Sequence, residues 1–289
     1  MYTIWELIPF FLLLTTVVLV MVPSQILAEK WLRLSLTATM VAAILTGTLD
    51  AIGVLALFSA GVLLVLSMQS KKIPWLFGLL FITMSVAITL HKAPGFHNLL
   101  IFDHVKLSPD AKPFTMYLNF DKVCLGVIIA IFFLRQKQIF FTYTMQIFIK
   151  STLKYWLGAS ILLSVLSLLL GYVRFDLKWP GGALIWALNN LFFVCFAEEV
   201  FFRGLILGFL QKRMSPSKYA NHFAILISSL AFGIAHFAGG WQYILLASIA
   251  GLFYGGAALA TGHIASSILV HFGLNLVHFV FLSYPALNL

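Results

Sequence analysis

The sequence predicts an all-α fold, a polytopic membrane bundle of about eight to ten helical spans. Three observations carry this. Of 289 residues, 62% are hydrophobic and only 9% charged, with a mean hydropathy of +1.02. An ordinary soluble domain carries about a quarter charged residues, so this chain cannot cover a water-facing surface. Apolar runs of about 20 residues, the length that crosses a hydrocarbon core, follow one another along the chain. Aromatic residues reach 15%, led by 28 Phe, a composition suited to lipid-facing helices. Together they exclude a secreted globular domain, a disordered tail and a cytosolic enzyme.

Residues 3–22 form the first expected span, closed by Pro23 and a loop holding Glu29, Lys30 and Arg33. No basic segment precedes this run and no small-residue cleavage site follows it, so it is expected to be retained. The stretch 34–68 is apolar but for Asp50 and reads as two helices hinged there, the first of them short. Lys71-Lys72 ends that block, and 73–90 is the next span. The polar excursion 91–121 carries His91, His97 and His104 and is expected to be extramembrane or re-entrant.

A short span is expected over 120–134. The aromatic-rich run 135–154, bracketed by Arg135, Lys137, Lys150 and Lys154, reads as a helix lying in the interface. Residues 155–173 cross again, and 174–180 form a loop. From Tyr219 to Leu289 there is no Asp, Glu, Lys or Arg, yet five of the eight histidines fall there. Three helices fit this tail, about 222–236, 240–260 and 263–284. The chain thus divides into membrane helices over 1–180, with the polar loop at 91–121, and a helical core over 181–289 that bears the candidate chemistry.

The net charge is +9, but the basic residues stand singly or in pairs between apolar runs. They form no nucleic-acid motif and read as anchors against anionic headgroups, so the expected partner is the lipid bilayer rather than nucleic acid. Cys124 and Cys195 lie inside apolar runs without metal-ligand spacing and read as small lipid- or core-facing residues. The small faces Gly204-x-x-x-Gly208 and Gly251-x-x-x-Gly255 suit close helix packing.

Ionisable groups inside membrane helices are costly and mark function. The sharpest case is Glu198-Glu199-Val200-Phe201-Phe202-Arg203 in an apolar helix. Glu199 and Arg203 are four apart with the acid first, the favourable order for an ion pair. Glu198 lies about 100° around the helix and has no helical partner three or four residues on. A carboxylate so placed is expected to have a raised pKa, suited to a general base or acid. The bland alternative is one structural network of both glutamates with Arg203. The charge-free tail adds His236, after Phe232, and the pair His271 and Asn275, which share one helical face. His222, His263 and His278 read as hydrogen-bonded packing residues.

Glu198, His236, His271 and Asn275 together are sufficient to add water to a peptide carbonyl: the carboxylate takes the proton and the His/Asn donors hold the oxyanion. Glu198, His236 and His271 also make up a two-His, one-Glu zinc ligand set, so one divalent metal or none are both compatible with the residues. Other intramembrane protease plans fit poorly: there is no HExxH, no GxGD, and Gly158-Ala159-Ser160 lacks a serine-dyad partner pattern.

The order and spacing of Glu198-Glu199 to Arg203, Phe232 to His236 and His271 to Asn275 resemble the CPBP family, the CAAX proteases and bacteriocin-processing enzymes also called Abi proteins, with hallmarks EExxxR, FxxxH and HxxxN. The likeness covers roughly 180–284, including the glycine-bearing stretch Gly251–Gly255. It implies an intramembrane endopeptidase in which Glu198 activates water with help from His236. His271 and Asn275 would form the oxyanion site, and Glu199 and Arg203 would support the architecture. The implied substrate is a membrane-associated protein or peptide. The implied setting is a bacterial inner (cytoplasmic) membrane. Two other classes are weighed against it: a membrane scaffold or bacteriocin-immunity protein that binds without cutting, and a transporter relaying protons through Glu198 and His236. Against transport, the charged first half and charge-free tail show no internal repeat.

Overall fold

A single acidic residue decides how the stretch 34–68 is divided. The Asp50 carboxylate accepts hydrogen bonds from the backbone N–H groups of Ile52 and Gly53, at 2.8 and 3.1 Å. It fills the orphan donors of a helix start, so one helix ends before it and the next begins after it. The computed structural model describes residues 2–21, 28–135, 144–215 and 217–288. Its first helices are α1 (Ile4–Met21), α2 (Ala28–Leu45), α3 (Ala51–Gln69), α4 (Pro74–Thr89) and α5 (Phe120–Arg135). The hinge at Asp50 is where it was expected. The helix before it is not short: α2 has 18 residues, and Glu29, Lys30 and Arg33 lie in its first turns rather than in a loop. Glu29 and Arg33 pair there at 3.2 Å with helical i,i+4 spacing, which lets the charged stretch stay helical.

One compact unit comprises Met1–Leu100 and Tyr117–Gln138. In it α1 packs on α2 and α5, and α3 packs on α4 and α5. The buried hydroxyls of Thr16, Ser35 and Thr39 bond one another between α1 and α2, at 2.8 and 3.1 Å. Polar atoms that lipid cannot satisfy are paired internally. The excursion 91–121 contains two short strands, β1 (Leu99–Val105) and β2 (Phe114–Leu118), which form a two-stranded sheet that helical reasoning did not anticipate. Its histidines serve local structure: His91 Nδ1 lies 2.6 Å from the buried carboxylate of Asp121.

The second unit comprises Ile101–Met116 and Ile139–Leu289. It contains α6 (Met145–Leu169), whose first turn is capped by Thr144 accepting from the Ile147 N–H at 3.4 Å. Where it is described, the run 135–154, expected as an interfacial helix, does not form a helix of its own. Residues 145–169 are one 25-residue helix, Arg135 ends α5, and 136–143 lie outside the described residues. Lys150 and Lys154 sit near the start of α6, where long basic side chains can reach the interface from an apolar span.

After the loop at 174–180 comes one continuous helical path. It runs through α7 (Ala183–Asn189), a π-helical segment Asn190–Cys195, α8 (Phe196–Glu199), a second π-helical segment Val200–Leu207, and α9 (Gly208–Met214). The tail forms three helices as expected: α10 (Ala220–Ala235), α11 (Trp241–Thr261) and α12 (Ile264–Phe281). Gly262, at φ +62°, ends α11, and His263 starts α12 by accepting from the Ala265 N–H at 3.0 Å. The extended residues after α6 run beside the chain that leaves α12: the N–H groups of Asp176 and Lys178 donate to the carbonyls of Phe281 and Val280, at 2.9 and 2.8 Å. There the Ser108 hydroxyl and then Lys178 hold the Asp176 carboxyl below its usual range.

Within this unit α11 packs on α6, α10 and α12, and α12 also on α6. The α10–α11 contact is close because of glycine. A Cβ at Gly251 would lie 2.9 Å from Ser229 Cα and 3.0 Å from an Arg203 nitrogen, and one at Gly255 would lie 3.3 Å from Ile225. Gly208 does not share this role, since a Cβ there would meet only the Arg203 carbonyl of its own helix, at 3.9 Å. At Gly233 a Cβ would fall 1.9 Å from Ser248 Oγ and 2.6 Å from the Ile244 carbonyl. The carbonyl is backbone and cannot move aside, so Gly233→Ala is expected to force α10 and α11 apart at a cost of roughly 1–3 kcal/mol. A thermal melt of the detergent-solubilised variant measures it; an unchanged melting temperature would refute the contact.

Among the described residues, α1, α3, α6, α11 and α12 are long and apolar enough to cross a membrane. α4 and α10 are apolar but only 16 residues each. The described residues form an all-α multi-pass membrane bundle with one small sheet.

Candidate active site

Glu198 and Glu199 stand in the single α-helical turn between the two π-helical segments. π-Helical widening is rare and is frequently found at functional sites. Adjacent residues on this turn point about 100° apart, so the two carboxylates meet different partners. Glu199 is fully buried, and its Oε1 accepts from Arg203 Nη1 at 3.0 Å and lies 2.8 Å from His271 Nδ1. The expected Glu199–Arg203 pair is present. Arg203 is itself buried, donates through Nη2 to the Gly251 carbonyl at 3.2 Å, and lies 4.6 Å from the centre of the Phe232 ring and 5.1 Å from that of Tyr254. Such stacking offsets part of the cost of desolvating a guanidinium.

Glu198 faces the histidines. Its Oε2 is 3.9 Å from His236 Nε2 and 4.0 Å from His271 Nε2, and its side chain is 20% exposed. Each ring is turned that way by its other nitrogen. His236 Nδ1 lies 2.7 Å from the Phe232 carbonyl, which can only accept, so Nδ1 carries the proton. His271 Nδ1 faces a Glu199 oxygen that already accepts from Arg203, and donates to it in the same way. With Nδ1 so engaged, both rings present Nε2 toward Glu198. Phe232 joins the parts: its carbonyl orients His236, and its ring packs 4.5 Å from His236 and 5.6 Å edge-on from His271.

Asn275 lies one turn beyond His271 on α12. Its Nδ2 donates to Asn190 Oδ1 at 3.1 Å, and Cys195 also bonds that oxygen, at 3.3 Å. Cys195 and Cys124 are buried and unbridged, as the sequence implied. His271, Asn275 and His236 line a cavity of about 80 Å³, room for a few waters, with Tyr172, Tyr243 and Tyr254 also on its walls. Tyr172 stacks on Tyr243 at 5.7 Å, and burial pushes its phenol up to about 12, so it stays a neutral donor. The structure thus brings together Glu198, Glu199, Arg203, His236, His271 and Asn275. It leaves His222 exposed and His263 as a cap. His278, read as a packing residue, is bonded through Nε2 with the Ser283 carbonyl at 3.2 Å and also borders the cavity.

Three contributors escaped the sequence reading. Asn190 is buried behind Asn275, and the signal for it was the Asn189-Asn190 pair in an apolar run. Tyr254 stacks on His271 at 4.5 Å and 17°, but one aromatic out of 44 carries no local signal. Glu199 was assigned to architecture, yet it also orients His271.

Zinc donors held at about 2.0–2.1 Å in a tetrahedron stand roughly 3.3 Å from one another. The Glu198–His236 and Glu198–His271 separations are wider, and the described residues contain no group of three or more His, Cys, Asp or Glu arranged to hold a metal ion. The residue types suit zinc but the arrangement does not, and the metalloprotease reading finds no support here.

Residues 180–277 match the family described as type II CAAX prenyl endopeptidase Rce1-like. This segment resembles that family. The match takes in every candidate from Asn190 to Asn275 and bears out the likeness drawn from EExxxR, FxxxH and HxxxN. It covers about a third of the chain and leaves out α1 to α6. No curated protein and no solved structure matches the chain. The five apolar helices among the described residues fit a multi-pass membrane protein, part of which is similar to the CAAX proteases.

Proposed function

We propose that the protein is an intramembrane endopeptidase that hydrolyses peptide bonds of a membrane-associated substrate with a glutamate-activated water, and that it works in a bacterial cytoplasmic membrane. The observation that carries this reading is the gap between the Glu198 carboxylate and two imidazole Nε2 atoms, 3.9 and 4.0 Å. That is too long for direct hydrogen bonds and suited to one water shared among the three groups.

In this reading Glu198 accepts a proton from the water as its oxygen attacks the substrate carbonyl. His236 receives the proton at Nε2, because Nδ1–H is held by the Phe232 carbonyl, and passes it to the departing amine. The carbonyl oxygen becomes an oxyanion, stabilised by Asn275 Nδ2 and by His271 Nε2 when that ring holds both protons. Glu199 faces the doubly protonated His271 and offsets its charge, and Tyr254 fixes the plane of its ring.

Cleavage of quenched fluorescent peptides by the purified, detergent-solubilised protein tests the reading. No cleavage of any peptide in a broad library would favour the scaffold or immunity alternative. Metal independence is tested in the same assay: exhaustive chelation is expected to leave the rate within about 2-fold, whereas removing a metal that made the nucleophile would silence the enzyme. Loss on chelation with recovery on adding Zn²⁺ would overturn the metal-free mechanism.

A further inference from the structure

We infer that Asn190 is a positioning residue for the Asn275 amide, and that the π-helical segment Asn190–Cys195 is what aims it. This rests on the peptidase reading and deepens its oxyanion step.

An asparagine amide carries one accepting oxygen and two N–H donors, and either side can turn toward a neighbour. An oxyanion donor works because it is set before the reaction begins. Asn275 sits on the cavity wall, and one of its Nδ2 protons goes to Asn190 Oδ1 at 3.1 Å. The other is left for the oxyanion. Flipping the Asn275 amide would set its oxygen against the Asn190 oxygen, so the bond selects the side that donates.

The acceptor is itself fixed. The Cys195 thiol bonds the same Oδ1 at 3.3 Å, so turning the Asn190 amide over would break both bonds. Asn190 and Cys195 are the two ends of the π-helical segment, five residues apart. On an α-helix residues five apart point about 140° from each other, too far round to meet. π-Helical pairing runs from i to i+5 and brings them one above the other. α12 packs on this segment, and Asn190 and Cys195 are 7% and 0% exposed, which keeps bulk water from competing for the oxygen. The widening before Glu198-Glu199 therefore aims an acceptor at Asn275, 85 residues further along the chain.

Two substitutions separate the acceptor from the bulk that carries it. Asn190→Leu keeps the size and removes the oxygen, whereas Asn190→Asp keeps an oxygen in the same place. In the peptide assay Asn190→Leu is expected to lower kcat about 10²-fold, the scale of a misplaced catalytic group. KM should stay within ~3-fold, because an oxyanion donor acts in the transition state alone. Asn190→Asp should recover most of the loss. An unchanged kcat in Asn190→Leu, or an equal fall in both variants, would overturn the proposal. A second readout needs no turnover. In protein labelled with ¹⁵N-asparagine, the side-chain signal that Asn275→Asp removes identifies the Asn275 amide. Its protons should exchange with water slowly in the wild type and in Asn190→Asp, and lose that protection in Asn190→Leu. Equal exchange in the wild type and Asn190→Leu would overturn it too. Asn190→Ala carries both measurements should Asn190→Leu not fold. If the wild type cleaves no peptide but the protection is present and lost with the acceptor, the peptidase reading fails and the positioning of Asn275 by Asn190 stands.

Discussion

Glu198→Gln is expected to lower kcat for peptide cleavage by at least about 10³-fold with little change in folding, because general-base catalysis contributes roughly 10²–10⁴-fold and no second carboxylate faces the same two Nε2 atoms. Glutamine keeps the size and the hydrogen-bonding oxygen but cannot take a proton. The nearest other carboxylate, Glu199, is fully buried and committed to Arg203 and His271. Glu198 is 20% exposed, so the exchange should cost under about 1 kcal/mol of stability. The measurement pairs initial rates on a cleaved peptide with a thermal melt. Equal cleavage by both proteins would remove Glu198 from the mechanism. A collapsed melting temperature would mean instead that both glutamates form one structural network.

Arg203→Met is expected to produce the largest loss of stability in the molecule. It leaves the Glu199 carboxylate 0% exposed without its cation, and breaking a buried pair by removing one partner costs about 3–5 kcal/mol. The cost also includes the bond to the Gly251 carbonyl and the stacking on Phe232 and Tyr254. At about 2–4 °C per kcal/mol for a chain of this size, the melting temperature should fall by roughly 6–20 °C. Adding Glu199→Gln removes the stranded charge, so the double variant should recover most of the loss. Its activity should not recover, because a neutral amide can still accept from His271 Nδ1–H but no longer offsets the charge of the doubly protonated ring. A single variant as stable as wild type would show that the pair does not hold the helices together. Stability and activity returning together would show that the charge of Glu199 is not needed beside His271.

Much of the molecule was legible along the chain. A composition this poor in charge admits only a membrane bundle. Asp50, capping at short range, divided α2 from α3 as the sequence predicted. The tail helices α10, α11 and α12 follow from apolar runs punctuated by Gly240 and Gly262. The ion pair Glu199–Arg203 was readable because it is closed within one helix, four residues apart. Other local readings failed where a neighbouring element overrode them. The basic residues of 135–154 suggested an interfacial helix, but α6 runs straight through Lys150 and Lys154, and the strands β1 and β2 depend on each other rather than on helical periodicity.

The order of residues along the chain specifies the class of fold, the positions of most helices and the set of polar groups that had to be buried. Which atoms those groups meet is settled by how the helices pack. His271 Nδ1 finds Glu199 across 72 residues, and Asn275 finds Asn190 across 85. The π-helical widening on both sides of Glu198-Glu199 is a property of backbone pairing that no residue type announces. The physical reason is common to all three. A dry helical bundle must satisfy each buried polar atom, but residue type says only that a partner is required. The partner itself is selected by helix crossings, which the close approach of α10 and α11 at Gly233, Gly251 and Gly255 sets in space.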